Sequence, residues 1–194
     1  MTDALDRLRD EAIALVQSTP ELAAFAPLPK TTRKVDLPPN RPASVDRLLA
    51  NPGRSNKTTA AFTAAALEAS ALADWRQTYT EEQVGADFLA RYGWMELWGP
   101  TGHFQCDDAR AYVAFWGERL DYAWHWHEAE EIYFVAAGAA LFKAENEPDA
   151  MLSVGQTRSH LSNQPHAMIT GEDPILTLVL WRGPGLSGVP VMPQ

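Results

Sequence analysis

The run His125-Trp126-His127-Glu128-Ala129-Glu130-Glu131-Ile132-Tyr133, answered downstream by Gln164-Pro165-His166, constrains this chain more than any other stretch. Residues i and i+2 of a strand face the same way. His125, His127, Glu131 and Tyr133 therefore share one parity, provided the run stays extended. His166 on a later strand then closes a set of three imidazoles and one carboxylate. Such a set accepts Zn, Fe(II), Mn, Co or Ni, and one divalent transition metal per chain is expected, with its identity open. Glu128 and Glu130 have other surroundings in this pattern and are expected to be solvated.

The rest of the chain divides near Gly93. Before it, residues 2–18 carry a helical stripe of Leu5, Leu8, Ile13, Leu15 and Val16, with Thr2 as a possible N-cap. Residues 27–42 hold five prolines and read as an irregular, polyproline-like strap. Short helices are expected over 44–50 and 58–73. Thr80-Glu81-Glu82-Gln83 has the capping-box form and opens a helix to about Tyr92. After Gly93, short apolar runs alternate with turn residues: 94–98, 111–116, 121–127, 131–135, 139–144, 151–154, 166–170 and 175–181. Strands at this spacing indicate an antiparallel sandwich or barrel. The expected organisation is a helical extension over 1–92, packed on the barrel and covering its mouth, and a β-barrel with the metal site over 93–194.

Composition excludes several classes. Sixteen Lys and Arg against 25 Asp and Glu give a net charge of −9, which disfavours nucleic acid or an anionic membrane as partner. No window approaches the apolar length of a membrane span. The start Met1-Thr2-Asp3-Ala4-Leu5-Asp6 has acids where a secretory signal needs bases, so a cytoplasmic location is expected. The lone Cys106 permits no intrachain disulfide and has no sequence neighbour that marks it as a nucleophile. His103 and His160 fall outside the ligand pattern, the latter because Pro165 interrupts any strand shared with His166. Trp94, Trp98 and Trp116 are assigned to the core, while Trp124 and Trp126 have the parity that points away from the metal.

The spacings H-x-H-x3-E-x6-G, met by His125, His127, Glu131 and Gly138, and G-x10-H, met by Gly155 and His166, resemble the two motifs of the cupin superfamily. The resemblance covers roughly 117–182 and implies a mainly β fold, a jelly-roll barrel holding one metal through those four residues. It departs at turns: Arg119 stands where the first motif has its opening Gly, and Leu161 and Asn163 stand where the second has Pro and Gly. Cupins host many activities. The set Tyr122, His125, His127, Glu131, Tyr133, His166 and Trp181 resembles the cupin-type dimethylsulfoniopropionate (DMSP) lyases, in particular the Q-type with its helical N-terminal extension.

That resemblance implies a metal-dependent carbon–sulfur lyase. It would cleave a small sulfonium carboxylate to dimethyl sulfide and acrylate by base-catalysed β-elimination, as a monomer or homodimer. Tyr133, beside a ligand and on its face of the strand, is the expected general base, and Tyr122 is the second catalytic candidate. Tyr122 and Trp181 are expected to bind substrate, since a sulfonium lacks N–H donors and is best received by aromatic faces. A plain β-forming role for Tyr133, with its hydroxyl at the barrel rim, is the structural alternative. The competing functional readings are another mononuclear metal cupin, a dioxygenase or isomerase, against which Tyr133 weighs, and a non-catalytic small-ligand-binding cupin.

Overall fold

Asp3 opens the first helix, its carboxylate accepting from Leu5 N at 2.9 Å, which satisfies one of the donors a helix start leaves free. In the computed structural model, which describes residues 3–26 and 28–192, this helix, α1, spans Ala4–Ser18. Thr2 and Pro27 lie outside the described residues. α2 (Pro20–Phe25) follows, then the short strand β1 (Arg33–Lys34), α3 (Ala43–Ala50) and α4 (Ala60–Ala69). The capping box at Thr80 forms, with Thr80 N donating to Gln83 Oε1 at 2.9 Å. The helix it opens is nonetheless split into α5 (Glu81–Val84) and α6 (Ala86–Leu89), because Gly85 turns the chain at φ +81°.

The strands are β2 (Tyr92–Gly99), β3 (Phe104–Gln105), β4 (Arg110–Trp116), β5 (Asp121–His125), β6 (Glu130–Ala144), β7 (Ala150–Ser153), β8 (Thr157–His160) and β9 (His166–Arg182). They form one sheet in the order β1-β3-β2-β4-β9-β6-β7, with β5 added to β9 and β8 to β6. The fold is mainly β: a cupin-type barrel carrying an α-helical N-terminal extension. The sequence pattern misses β8, whose Thr-Arg-Ser-His contains no apolar residue. It also cuts two long strands into four. The segments 131–135 and 139–144 are one strand, as are 166–170 and 175–181.

Those two long strands pair with each other along their whole length, from Glu130↔Arg182 at one end to Ala144↔His166 at the other. Halfway along, the ladder steps from Gly138↔Ile175 to Ala140↔Thr170, so that 171–174 bulge out opposite Ala139. Gly138 sits there at φ +77°, and a Cβ on it would fall onto the Pro174 carbonyl oxygen. The ribbon bends at this crossing and its ends come together. Gly53 of the extension (φ +84°) packs its own backbone against Gly138 from outside.

Strand parity sorts the core into two faces. Ala111, Val113, Phe115, Ile132, Phe134, Leu178 and Leu180 pack outward with Leu8, Leu22, Leu48 and Phe62 of the helices. Tyr112, Ala114, Trp116, Tyr133, Val135, Val179 and Trp181 pack inward. The extension therefore covers the outer face of the sheet, which is why β4 is buried at every position. Two of the three motif departures stand in left-handed backbone, Arg119 at φ +53° and Asn163 at φ +57°, while Leu161 does not. The turns that glycine makes elsewhere are made here by residues that strain to do so.

Gly138→Ala is expected to destabilise the fold by more than about 2 kcal/mol, since strain at positive φ adds to overlap with a carbonyl oxygen. Gly171, in the same bulge, has open space at its Cβ position and no positive φ, so Gly171→Ala should stay within about 0.5 kcal/mol of the parent. Denaturant melts of the two variants check this; equal midpoints would remove the crossing from its role.

Candidate metal centre and active site

Cross-strand register assembles the site in two rows. The first is His125↔His166, paired across β5 and β9. The second runs His160↔Glu131↔Trp181↔Arg110 across β8, β6, β9 and β4. His166 and Trp181 are separated by β9, which fully extended would hold them about 50 Å apart. The folded ribbon instead places the His127 ring 5.1 Å from that of His166 and 4.3 Å from that of Trp181, stacked on the latter.

The condition for a shared parity, an extended run from His125 to Tyr133, is not met. β5 ends at His125, the chain bends at Glu128 and Ala129, and β6 begins at Glu130. His127 shapes that bend, its Nδ1 donating to Ala129 O at 2.8 Å. One ligand atom each from His127, Glu131 and His166 still lie within 4.8 Å of one another, all buried. His125 is also buried, its ring 4.1 Å from that of His166 and 4.0 Å from that of Tyr122, stacked on it. Tyr122 faces inward three residues before His125 because β5 carries a register shift between them.

The hydrogen bonds define what the imidazoles offer. His125 Nδ1 meets Ala123 O at 2.9 Å, His127 Nδ1 meets Ala129 O at 2.8 Å and His166 Nδ1 meets Gln164 O at 2.8 Å. A carbonyl oxygen only accepts, so in each ring Nδ1 carries the hydrogen and Nε2 presents its lone pair. His127 Nε2 and His166 Nε2 are buried without a partner and lie 3.4 and 3.3 Å from Glu131 Oε2. Lone pairs thus converge on a carboxylate with no donor between them, which fits a cation. The carbonyls that fix the tautomers are what a metal-binding histidine ordinarily has behind it.

Glu131 is held from both sides by its register partners. Trp181 Nε1 donates to Oε1 at 2.8 Å and His160 Nδ1 donates to Oε2 at 3.2 Å. Burial alone would raise its pKa, but the imidazoles of His127, His160 and His166 hold it well below the ordinary carboxylate value. Burial would depress His127, yet Glu131 and the Ala129 carbonyl lift it above its usual value. Burial lowers His160 to about 4, so that ring is neutral near pH 7. Tyr133 and Tyr122 are both pushed well above 10, first by burial; for Tyr133 the Glu131 charge adds to it.

Beside Glu131 lies a small cavity of about 50 Å³, lined mostly by aromatic side chains. Its walls are Tyr92, Trp94, Tyr112 and Trp116; Tyr122, Tyr133 and Trp181 also line it. Trp94 and Trp116, assigned to the core from sequence, face this space, whereas Trp98 is buried in the outer core. Trp124 is 43 % exposed and clear of the site. Arg110 reaches the cavity, but its charge is met by Glu96 at 2.9 Å, and its Nη1 donates to Leu186 O and Gly188 O. His103 is remote, accepting from Asp74 N at 3.1 Å, and Cys106 donates to Ala109 O. Glu130 pairs with Arg182 and Glu128 is exposed. Sequence reasoning missed His160, because its strand has no apolar signal, and missed that Trp181 grips Glu131.

A family profile described as dimethylsulfoniopropionate lyase matches residues 22–177. The chain is 38% identical over 189 residues to the DMSP lyase DddQ of Ruegeria pomeroyi, spanning 97% of this chain and 94% of that protein. The crystal structure of that DddQ superposes with a TM-score of 0.93 at 38% identity, covering 98% of this chain and 97% of the other. A chain from the crystal structures of the DMSP lyases RdDddP and RnDddQII superposes with a TM-score of 0.96 at 46% identity, covering 98% of both. With its folded ribbon, its convergent imidazoles and these relatives, the chain belongs to the dimethylsulfoniopropionate lyase family.

Proposed function

We propose that the protein is a metal-dependent carbon–sulfur lyase that cleaves dimethylsulfoniopropionate to dimethyl sulfide and acrylate. The observation that carries this reading is an aromatic-walled cavity opening directly on Glu131, Tyr122 and Tyr133. The substrate has a carboxylate at one end and a sulfonium at the other, and the site has a matching polarity. His127, Glu131 and His166, with His125 against His166, would hold the cation at one end. Tyr92, Trp94, Tyr112 and Trp116 form the other, where each cation–π contact contributes about 0.5–2 kcal/mol. Trp181, ring against His127 and Nε1 on Glu131, serves both ends. The pairing of Arg110 with Glu96, and of Arg76 with Asp74, reduces the repulsion these guanidinium groups would present to a sulfonium there.

A bound divalent cation supplies Lewis-acid stabilisation of negative charge developing on the carboxylate side of the substrate, and its field favours a nearby phenolate. Tyr133 Oη takes the proton from Cα. The C–H electrons become the double bond of acrylate, and the Cβ–S pair leaves on dimethyl sulfide. Tyr122, stacked on His125, orients the substrate. The buried lone thiol suits a reducing compartment, and we read the enzyme as cytoplasmic, acting on a small molecule as a monomer or homodimer. No helix among the described residues is long and apolar enough to cross a membrane.

Two measurements test the reading. Headspace analysis should find dimethyl sulfide when the purified, metal-loaded protein meets the substrate. Tyr133→Phe should reduce turnover about 10²–10⁴-fold with metal content unchanged; a near-normal rate would remove Tyr133 as base.

Metal analysis should show His127→Ala and His166→Ala depleted, and full occupancy in both would sink the ligand set. His160→Ala keeps every ligand but frees one side of Glu131. It should retain metal at saturation with an affinity about 10–100-fold weaker, read by chelator competition.

A further inference from the structure

We propose that Tyr79, contributed by the N-terminal extension, is a positioning residue for the reaction, acting through Tyr122. Its hydroxyl lies 3.0 Å from that of Tyr122, and the contact is buried. Tyr122 lines the cavity and Tyr79 stands behind it. The Tyr122 ring is fixed by its stack on His125 at 4.0 Å and by Tyr92 and Trp116, each with centroids 5.6 Å away. Those contacts set the plane of the phenol but not the direction of its O–H. Tyr79 Oη is its side-chain hydrogen-bonding partner, and so sets that direction. The bond leaves Tyr122 either its proton or its oxygen lone pairs to turn toward the cavity, according to which hydroxyl donates, and in both cases fixes what a substrate meets there.

The segment that carries Tyr79 is built to hold still. Gln77 Nε2 donates to Leu89 O at 2.5 Å and Tyr92 O at 2.7 Å. Thr78 Oγ1 accepts from Trp94 Nε1 at 2.9 Å and lies 2.9 Å from Tyr92 Oη. The Tyr79 ring meets Phe88 of α6 edge-on at 6.1 Å. Three consecutive side chains of the extension thus grip the strand β2 and the aromatic wall at the point where the chain enters the barrel. A purely structural tyrosine would need its ring here; the hydroxyl adds nothing to that packing, and it is directed at a cavity residue.

The proposal rests on the functional reading above, and the test separates the two. Dimethyl sulfide release, metal content and melting temperature are measured for the wild type, Tyr79→Phe, Tyr122→Phe and the double variant. Tyr79→Phe should lower kcat about 3- to 10-fold, the equivalent of one ordinary hydrogen bond, with metal content and melting temperature unchanged. The double variant should be no slower than Tyr122→Phe alone, because Tyr79 has nothing left to act through. An active wild type with Tyr79→Phe at the same rate overturns the proposal alone. Additive losses in the double variant, or a silent Tyr122→Phe beside an impaired Tyr79→Phe, also overturn it. A wild type that releases no dimethyl sulfide overturns the functional reading together with this one.

Discussion

The site exists because one β-ribbon folds back on itself. β6 and β9 stay paired from end to end, yet Glu131 at one end lies within 3.3 Å of His166 at the other. A flat ribbon of that length would keep them tens of ångströms apart. The bend is permitted at one place, where Gly138 lets the backbone pass against the Pro174 carbonyl and four residues of β9 loop out. Any side chain at Gly138 closes the gap through which the strands cross. The motif glycine thus serves geometry at a distance, and the ligands seven and more residues away depend on it.

Once the ends meet, electrostatics decides what the pocket can hold. Three imidazoles are each tied through Nδ1 to a carbonyl two residues away along the chain. This local arrangement needs no long-range partner and leaves Nε2 as an acceptor. Glu131 is fixed by donors from neighbouring strands on either side. His127, Glu131 and His166 each bring one ligand atom within 4.8 Å of the others, an arrangement that could hold a metal ion with little rearrangement. His160 differs from the other rings in the way that matters: its Nδ1 is spent on the carboxylate, which makes it a support for a ligand.

Spacing made the ligand candidates readable, because a motif constrains backbone turns as well as side chains. Gly138 and Gly155, both at positive φ, marked those turns, and His127, Glu131 and His166 converge as their spacing implied. Strand parity is a weaker guide here. It holds only along an extended run, and the chain bends at Glu128 and Ala129. It also gave no warning that Tyr122 and His125 would share a face through a register shift. His160 and the Trp181–Glu131 bond were illegible for a different reason. Both follow from which strands lie beside β6, and nothing in a local window reports lateral neighbours. The tryptophans divide likewise: Trp94 and Trp116 are hydrophobic by composition, and only the sheet's inner face turns them from core into cavity wall.

Parity also explains why the barrel carries an extension. Its central strands are apolar on both faces, with Phe134 and Leu178 pointing out as firmly as Tyr133 and Val179 point in. A barrel alone would expose that outer surface to water, at a cost of about 25 cal/mol for each Å² left uncovered. The helices cover it, and Gly53 locks against Gly138 where the ribbon crosses. Having wrapped the outside, the chain must still enter β2 at the open end of the barrel, beside the cavity. The residues 77–79 make that entry, so an element required for burial arrives at the rim of the active site. There its hydroxyls and amide take hold of Tyr92, Trp94 and Tyr122. The same covering that keeps the sheet folded therefore orders the aromatic wall, and a disturbance of the extension reaches the pocket through these contacts without touching a metal ligand.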